Sequence, residues 1–367
     1  MPLKIAICVN HFPPSIGGAE KVAETIAYFL SQYHKVISFT RRVKERNVRK
    51  LPYKVVEYAP GDFATFDRLL SKFNPDVVLI YSDVFDFFRQ LAVRKNPFKL
   101  ILALCGANWL YSHPNFVNII LRNMTNIHRV ICHSTKERDY KLCSHEHVAC
   151  KTVIIPNGVW LNEFDKVSKT KKELSPKIAN KKWILNVSNF FPGKGQEHLV
   201  KILSDMPDKD FAYLQLSSDI NFPIGEILEH KWKKASISLK RLGIEVKLLK
   251  NIPREDVIAY FKNSNVFAFT SEKEVAPLVL LEAMASSLPW ISTNIGNAQD
   301  LEGGICIPSL KDSRFHSVFD GRTRKLFGEG IQKLFNTPKI AESGRRQIER
   351  DLNWDRILPE YLSVVEQ

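Results

Sequence analysis

Short apolar runs alternate with amphipathic segments along nearly the whole chain, and this alternation leaves few folds open. Runs such as Val77–Tyr81 (VVLIY) and Val266–Phe269 (VFAF) have strand length and carry apolar side chains on both faces, as strands buried in a parallel sheet do. The segments between them place apolar residues at helical spacing, for example Val22, Ile26, Phe29 and Leu30, which marks one buried helical face. Strand and helix in alternation imply parallel sheets wound by helices, an α/β fold.

In the first half, strands are expected at Lys4–Asn10, Lys35–Phe39, Val77–Tyr81, Lys99–Leu104, Val130–His133 and Thr152–Ile155. Residues 162–182 are polar, lysine-rich and interrupted by Pro176, which reads as a linker. A second set of strands follows at Trp183–Val187, Ala212–Leu216, Glu245–Leu249, Val266–Phe269 and Trp290–Ser292, and Arg345–Glu366 closes the chain as a helical segment. At 367 residues there is enough chain for two domains with their own cores.

The segment Ser271–Pro289 (SEKEVAPLVLLEAMASSLP) carries the most chemistry. Pro277 is expected to open a helix, because its missing N–H needs no partner at the first helical position. Glu274 then lies in the preceding loop and Glu282 on the second turn. Unpaired amides and the positive dipole end of a helix suit an anion such as a phosphate. The preceding strand delivers this loop to the carboxyl edge of the sheet, where ligands of open α/β sheets bind.

Two further strand-to-helix turns stand out. The first strand runs into Asn10-His-Phe-Pro-Pro-Ser-Ile-Gly-Gly-Ala-Glu20, where Gly17 and Gly18 allow close backbone approach to a ligand at a helix start. The spacing is not that of the dinucleotide fingerprint, which argues against a dehydrogenase. Trp183–Val187 runs into Ser188-Asn-Phe-Phe-Pro-Gly-Lys-Gly195, placing Lys194 as a point charge for phosphate oxygens.

These turns together resemble the retaining glycosyltransferases of family 4 (glycosyl transferases group 1), and the resemblance covers nearly the whole chain. Its most specific element is Glu274-Val-Ala-Pro-Leu-Val-Leu-Leu-Glu282, followed by Leu288-Pro-Trp-Ile-Ser-Thr-Asn-Ile-Gly296. The Phe12-Pro-Pro…Gly17-Gly-Ala-Glu20 loop, Ile155-Pro-Asn-Gly-Val159, Lys194-Gly195 and Leu352-Asn-Trp-Asp-Arg356 are also similar. The resemblance implies a GT-B fold, with two Rossmann-like domains facing each other across a cleft. Residues 1–165 would form the acceptor-side domain, joined by a returning helix at about 350–367, and residues 166–349 the nucleotide-sugar-binding domain.

By the same resemblance, Glu282 would accept hydrogen bonds from the donor ribose and Glu274 from the transferred sugar. Lys194 and the Gly17 and Gly18 amides would hold the diphosphate, and Asn189, Ala276, Pro277 and Leu278 would complete the donor contacts. Cys105, Gly106, Asn108 and His113 fall where sugar or acceptor contacts are expected. The implied activity is metal-independent transfer of a hexose-type sugar, with retention, from a nucleoside diphosphate to a glycan or lipid-linked acceptor. No cofactor is implied beyond the nucleotide-sugar substrate, and UDP versus GDP stays open, as does the oligomeric state.

Several positions depart from the pattern. Asn189 stands where the family often has a diphosphate-binding arginine, and Cys105-Gly106 where a histidine commonly touches the sugar. Ser217-Ser218 replaces a glycine-rich turn, and Val275-Ala276 replaces a usual Gly-Phe. A missing arginine removes a charge-assisted bond of ~1.5–3 kcal/mol. The alternative is therefore a catalytically silent sugar-nucleotide-binding or scaffold subunit. A nucleotide-sugar epimerase on the same fold would need an acid/base pair that these turns lack.

Two other patterns are decoys. Cys143-Ser-His-Glu-His-Val-Ala-Cys150 is rich in zinc-type donors, but its spacing matches no usual metal pair. Asp208-Lys-Asp210 has the look of a metal-binding D-x-D, yet it leads into a strand, at the edge opposite the ligand loops. The six cysteines are scattered and make no disulfide framework.

The net charge is +14, with RRVKERNVRK at 41–50 and a second basic stretch at Lys166–Lys182. Attraction to an anionic membrane surface is one reading of this charge and solvated loops the other. Nucleic acid is not expected, since these stretches hold no recognition motif or interleaved aromatics. With no long apolar span, and a first strand that begins within a few residues of Met1, the expectation is a cytoplasmic protein, peripheral at most at the inner membrane face.

Overall fold

A computed structural model of the chain describes residues 1–10, 12, 17–41, 51–59, 61–81, 87–105, 118, 121–136, 139–219, 223–311 and 317–367. They form two compact units, one of Met1–Asn157 with Asp355–Gln367 and the other of Gly158–Trp354. Residues 158–165 thus pack with the second unit, ahead of the boundary expected at residue 166.

The first unit holds β1 (Lys4–Cys8), β2 (Lys35–Arg41), β3 (Lys54–Tyr58), β4 (Val77–Tyr81), β5 (Lys99–Ala103), β6 (Arg129–Cys132) and β7 (Thr152–Ile154). Their order across the sheet is β3-β2-β1-β4-β5-β6-β7, with every pair parallel. The second unit holds β8 (Lys182–Val187), β9 (Phe211–Ser217), β10 (Glu245–Lys250), β11 (Val266–Phe269), β12 (Trp290–Thr293) and β13 (Gly304–Ile307). These lie in the order β10-β9-β8-β11-β12-β13, again all parallel. Both units are therefore doubly wound, Rossmann-like sheets.

Strand alternation explains the double core of the second unit. Trp183, Leu185, Leu214, Phe267, Phe269 and Trp290 point to one face, against the helices Arg254–Asn263 and Leu278–Ala285. Ile184, Tyr213, Val266, Ala268 and Ile291 point to the other, against the helices Gln196–Asp205, Pro223–Arg241 and Gly321–Asn336. Burying one such side chain stabilises by about 1.5–3 kcal/mol, so apolar residues on both faces fix the sheet as the central layer.

The sequence pattern missed two edge strands. β3 (KVVEY) carries two charged residues in five and is mostly half-buried, so it lacks the apolar run of a central strand. β13 (GICI) is four residues long and begins with glycine, which ordinarily weakens a strand. Gly304 is needed there because an added Cβ would sit 2.2 Å from the Trp290 ring.

Residues 162–182 are not a free linker. Phe164 and Ile178 are buried, Lys171 Nζ donates to Asn265 Oδ1 (2.8 Å), and Tyr260 Oη donates to the Leu174 carbonyl (2.9 Å). Apolar residues spaced among the lysines anchor the segment to the second unit. The closing helical segment is also divided. The helix Ala341–Gln347 passes into a wide turn at Ile348–Leu352, Asn353 is extended, and Trp354–Glu366 is a separate helix.

Candidate functional site

The second sheet changes direction between β8 and β11. From β8 the chain steps outward through β9 and β10, then returns to the other side of β8 as β11. The loops after β8 and β11 therefore leave neighbouring strands at the same carboxyl edge, the place where open α/β sheets bind ligands.

The two loops are bolted together. Thr270 Oγ1 donates to the Gly195 carbonyl (2.8 Å), and the Glu272 N–H donates to the Gly193 carbonyl (2.7 Å). Gly193 and Gly195 have φ of +85° and +63°, and a Cβ on Gly195 would lie 2.1 Å from the Thr270 carbonyl oxygen. Only glycine accepts both the left-handed backbone and the close approach.

This turn delivers Lys194 to Glu274, with Nζ 2.6 Å from Oε1. The Ser271 hydroxyl donates to the same oxygen at 2.8 Å. The loop carrying Glu274 is held from the far side by Asn297, whose N–H donates to the Val275 carbonyl (3.0 Å), and by Gly296, where a Cβ would meet that carbonyl oxygen at 2.3 Å. Pro277 is the N-cap, with ψ of 115°, so the helix Leu278–Ala285 starts one residue later than expected. The Leu280 N–H already donates to the Pro277 carbonyl (3.2 Å), so the amides ahead of it, at Leu278 and Val279, are the helix-start donors suited to an anion.

Glu282 lies on the second turn and is 9% exposed. Its Oε1 is 2.7 Å from an Arg254 amino nitrogen, and Arg254 also makes two bonds to Glu163, at 3.0 and 3.2 Å. Burial alone would lower the affinity of the Arg254 guanidinium for its proton, but Glu282 and Glu163 raise it well above the usual value. Two carboxylates share one guanidinium, so the cluster keeps a net negative charge and an acceptor surface. Neither Arg254 nor Glu163 was marked by sequence reasoning. They are distant in sequence from Glu282, and Glu163 lies in the segment expected to be a linker.

Asn189 is held within the unit: its Oδ1 accepts the Ser218 N–H (2.9 Å) and its carbonyl accepts from Gln196 Nε2 (2.9 Å). Beneath it runs a buried polar network that the sequence did not announce. Ser188 Oγ donates to Asn186 Oδ1, Gln196 Nε2 to Ser188 Oγ (3.0 Å), and Gln215 Nε2 to the Ser188 carbonyl (3.1 Å). Ala276 and Leu278 flank Pro277 and are half-buried.

In the first unit, β1 lies between β2 and β4, the corresponding point of reversal. Gly17 caps the helix Gly18–Leu30 in an extended conformation (φ −156°), a backbone open to any residue. The Glu20 carboxyl on that helix is raised above the usual range by burial, against an opposing backbone hydrogen bond. Cys105 follows β5, half-buried, beside Tyr81, whose phenol is raised by burial and then by Cys105. Tyr81 Oη is 3.3 Å from His133 Nε2, and His133 Nδ1 is 2.9 Å from the Ile155 carbonyl. Burial lowers the His133 proton affinity, so a neutral ring with Nδ1–H donating to Ile155 and Nε2 accepting from Tyr81 fits both contacts. Gly106, Asn108 and His113 lie outside the described residues, as do Arg42, Arg46 and Arg49.

The decoys resolve into local structure. Asp208 Oδ1 accepts the Asp210 N–H (2.9 Å) in an exposed turn, and Lys209 caps the Ser204 carbonyl at 2.7 Å. Cys143 is buried while Cys150 is exposed, and His145 accepts the His147 N–H as a helix cap.

Residues 167–303, which hold Lys194, Glu274 and Glu282, match the model of glycosyl transferases group 1. The phosphatidylinositol N-acetylglucosaminyltransferase GPI3 subunit of Saccharomyces cerevisiae (strain YJM789) is 24% identical over 331 residues, 82% of this chain and 70% of its own. Sucrose-phosphate synthase from Thermosynechococcus elongatus superposes with a TM-score of 0.80 at 18% identity, covering 100% of this chain and 98% of its own. Anabaena HepE in complex with UDP-glucose gives 0.72 at 18% identity, covering 98% and 99%. Two parallel Rossmann-like sheets with these neighbours are the GT-B fold, and the segment that carries the candidate site is similar to the glycosyl transferases group 1.

Proposed function

We propose that the protein is a retaining glycosyltransferase that moves a hexose-type sugar from a nucleoside diphosphate to a glycan or lipid-linked acceptor. The observation that carries this reading is the contact of Lys194 with Glu274 at the reversal point of the second sheet, inside the family segment. The UDP-glucose held by the Anabaena neighbour supports a nucleotide-sugar donor, and the yeast relative's name supports a lipid acceptor.

In this reading Glu282, oriented by Arg254, accepts the ribose hydroxyls, and Glu274 accepts those of the transferred sugar. Lys194 turns from Glu274 toward the departing diphosphate, joined by the first amides of the helix Leu278–Ala285. Negative charge grows on that phosphate as the glycosidic bond breaks, so a lysine and preorganised amides stabilise the transition state without a metal. Asn189 acts by holding the loop after β9, through Ser218. Sugar contacts come from the segment of Cys105, Gly106, Asn108 and His113.

Calorimetry with UDP- and GDP-sugars on the wild type and on Lys194→Ala tests the donor site. Equal affinity in both proteins would remove Lys194 from it. The silent-subunit reading draws on Asn189, a neutral residue tied to a backbone amide where a charge was expected, and turnover of any donor excludes it. The net charge of +14 supports a peripheral place on an anionic membrane surface, facing the cytoplasm. No described helix is long and apolar enough to cross a membrane. Salt-sensitive binding to anionic over neutral vesicles tests that placement.

A further inference from the structure

The proposed transfer leaves Glu197, His198 and Glu272 without a part. Glu197 and His198 open the helix Gln196–Asp205, directly after the Gly193–Gly195 turn, while Glu272 belongs to the loop after β11. One donor atom from each of the three falls within 4.8 Å of the other two. His198 Nε2 is 3.0 Å from Glu272 Oε1. The imidazole is held flat against Phe319, ring centroids 4.6 Å apart and planes at 13°. Glu272 is fixed through its own backbone, since its N–H donates to Gly193 (2.7 Å) and its carbonyl accepts from Ser317 (2.8 Å).

We propose that Glu197, His198 and Glu272 form a divalent transition-metal site of the zinc class, with one imidazole nitrogen, two carboxylate oxygens and a fourth position open to solvent. Zinc-to-ligand lengths of about 2.0–2.2 Å put tetrahedral ligand atoms roughly 3.3–3.5 Å apart. The His198–Glu272 spacing is close to that, and the flexible Glu197 side chain covers the remainder. A mixed nitrogen and oxygen set favours zinc-like ions over calcium or magnesium, which take oxygen alone. Glu197 and His198 also line a solvent-open groove of about 630 Å³ between the helices Gln196–Asp205 and Pro223–Arg241, which gives an ion its entry path. A bound ion ties the start of one helix to the neighbouring loop, on either side of the backbone that presents Lys194 and Glu274. It therefore stabilises the second unit by binding its folded state. The inference stands without the transferase reading.

The sequence places more metal-type side chains in Cys143–Cys150, yet among the described residues that segment yields no convergent set of three donors. The contrast supplies the control. Full-length protein stripped with a chelator and dialysed is titrated with Zn²⁺ by calorimetry and with Co²⁺ by visible absorption. The wild type is expected to take up one ion per chain with a tetrahedral Co²⁺ band. His198→Ala and Glu272→Gln should each weaken binding at least about tenfold and abolish the band, whereas a His145→Ala/His147→Ala double variant should bind like the wild type. Circular dichroism checks that each variant is folded, and the half-exposed Glu272 provides the milder substitution. Equal binding by wild type and His198→Ala/Glu272→Gln overturns the site, as does loss that follows His145 and His147 instead.

Discussion

The glycine turn after the first strand of each sheet occupies the same topological position, yet the two turns are built differently. In the second unit, Gly193 and Gly195 both have positive φ, and the turn is pressed onto the backbone of Thr270 and Glu272. In the first unit, Gly17 is extended, and the nearest obstacle to an added Cβ is the Glu20 carboxylate, the movable end of a side chain. A glycine pair in a sequence thus stands for two physical situations. One is a steric necessity between two loops, and the other is an ordinary helix cap.

The largest expected effect breaks this comparison directly. Gly195→Ala places a Cβ against a backbone oxygen in a left-handed conformation, and should destabilise the second unit by about 2–4 kcal/mol. Gly17→Ala should cost about 1 kcal/mol or less, as a lost helix cap does. Denaturant unfolding of both variants measures the difference, and equal losses would show that the turns are mechanically alike.

Next come the two carboxylates that the second-unit turn serves. Glu282→Gln keeps the shape and its place beside Arg254 but loses a charged acceptor, so nucleotide affinity should fall by ~1.5–3 kcal/mol. Calorimetry with UDP or GDP reads this loss. Glu274→Gln should leave nucleotide affinity nearly intact while lowering turnover of the nucleotide sugar at least about tenfold, or ~1.4 kcal/mol. Normal transfer by a folded Glu274→Gln protein would break the assigned division of roles.

The smallest effect belongs to the first-unit turn. Burial raises the Glu20 carboxyl in the folded state, so the folded protein holds this proton more tightly than the unfolded chain. Stability from this group is full below the ordinary glutamate range and is lost as pH rises through the raised folded value. Glu20→Gln should flatten that part of the stability profile, and an unchanged slope in pH-dependent unfolding would remove Glu20 as its source.

Much of the fold was legible because central parallel strands are apolar on both faces, and that property is local. Val77–Tyr81 and Val266–Phe269 were placed to the residue. Edge strands are not so marked. β3 is charged and half-exposed, and β13 depends on a glycine whose purpose is the Trp290 ring on the neighbouring strand. The basic segment 162–182 misled for a similar reason, since its few apolar anchors were outnumbered by lysines.

Within the candidate site, the sequence by itself determined which side chains stand at strand ends. A strand ends and a helix begins according to a handful of neighbouring residues, so Lys194, Glu274 and Glu282 could be placed on their turns. Tertiary structure decided whom they meet. Lys194 reaches Glu274 because β8 and β11 became neighbours when the strand order reversed, and Arg254 reaches Glu282 and Glu163 only once their helices are packed on one face. Those partners lie far apart along the chain, and no local periodicity encodes the order in which a sheet sets its strands side by side.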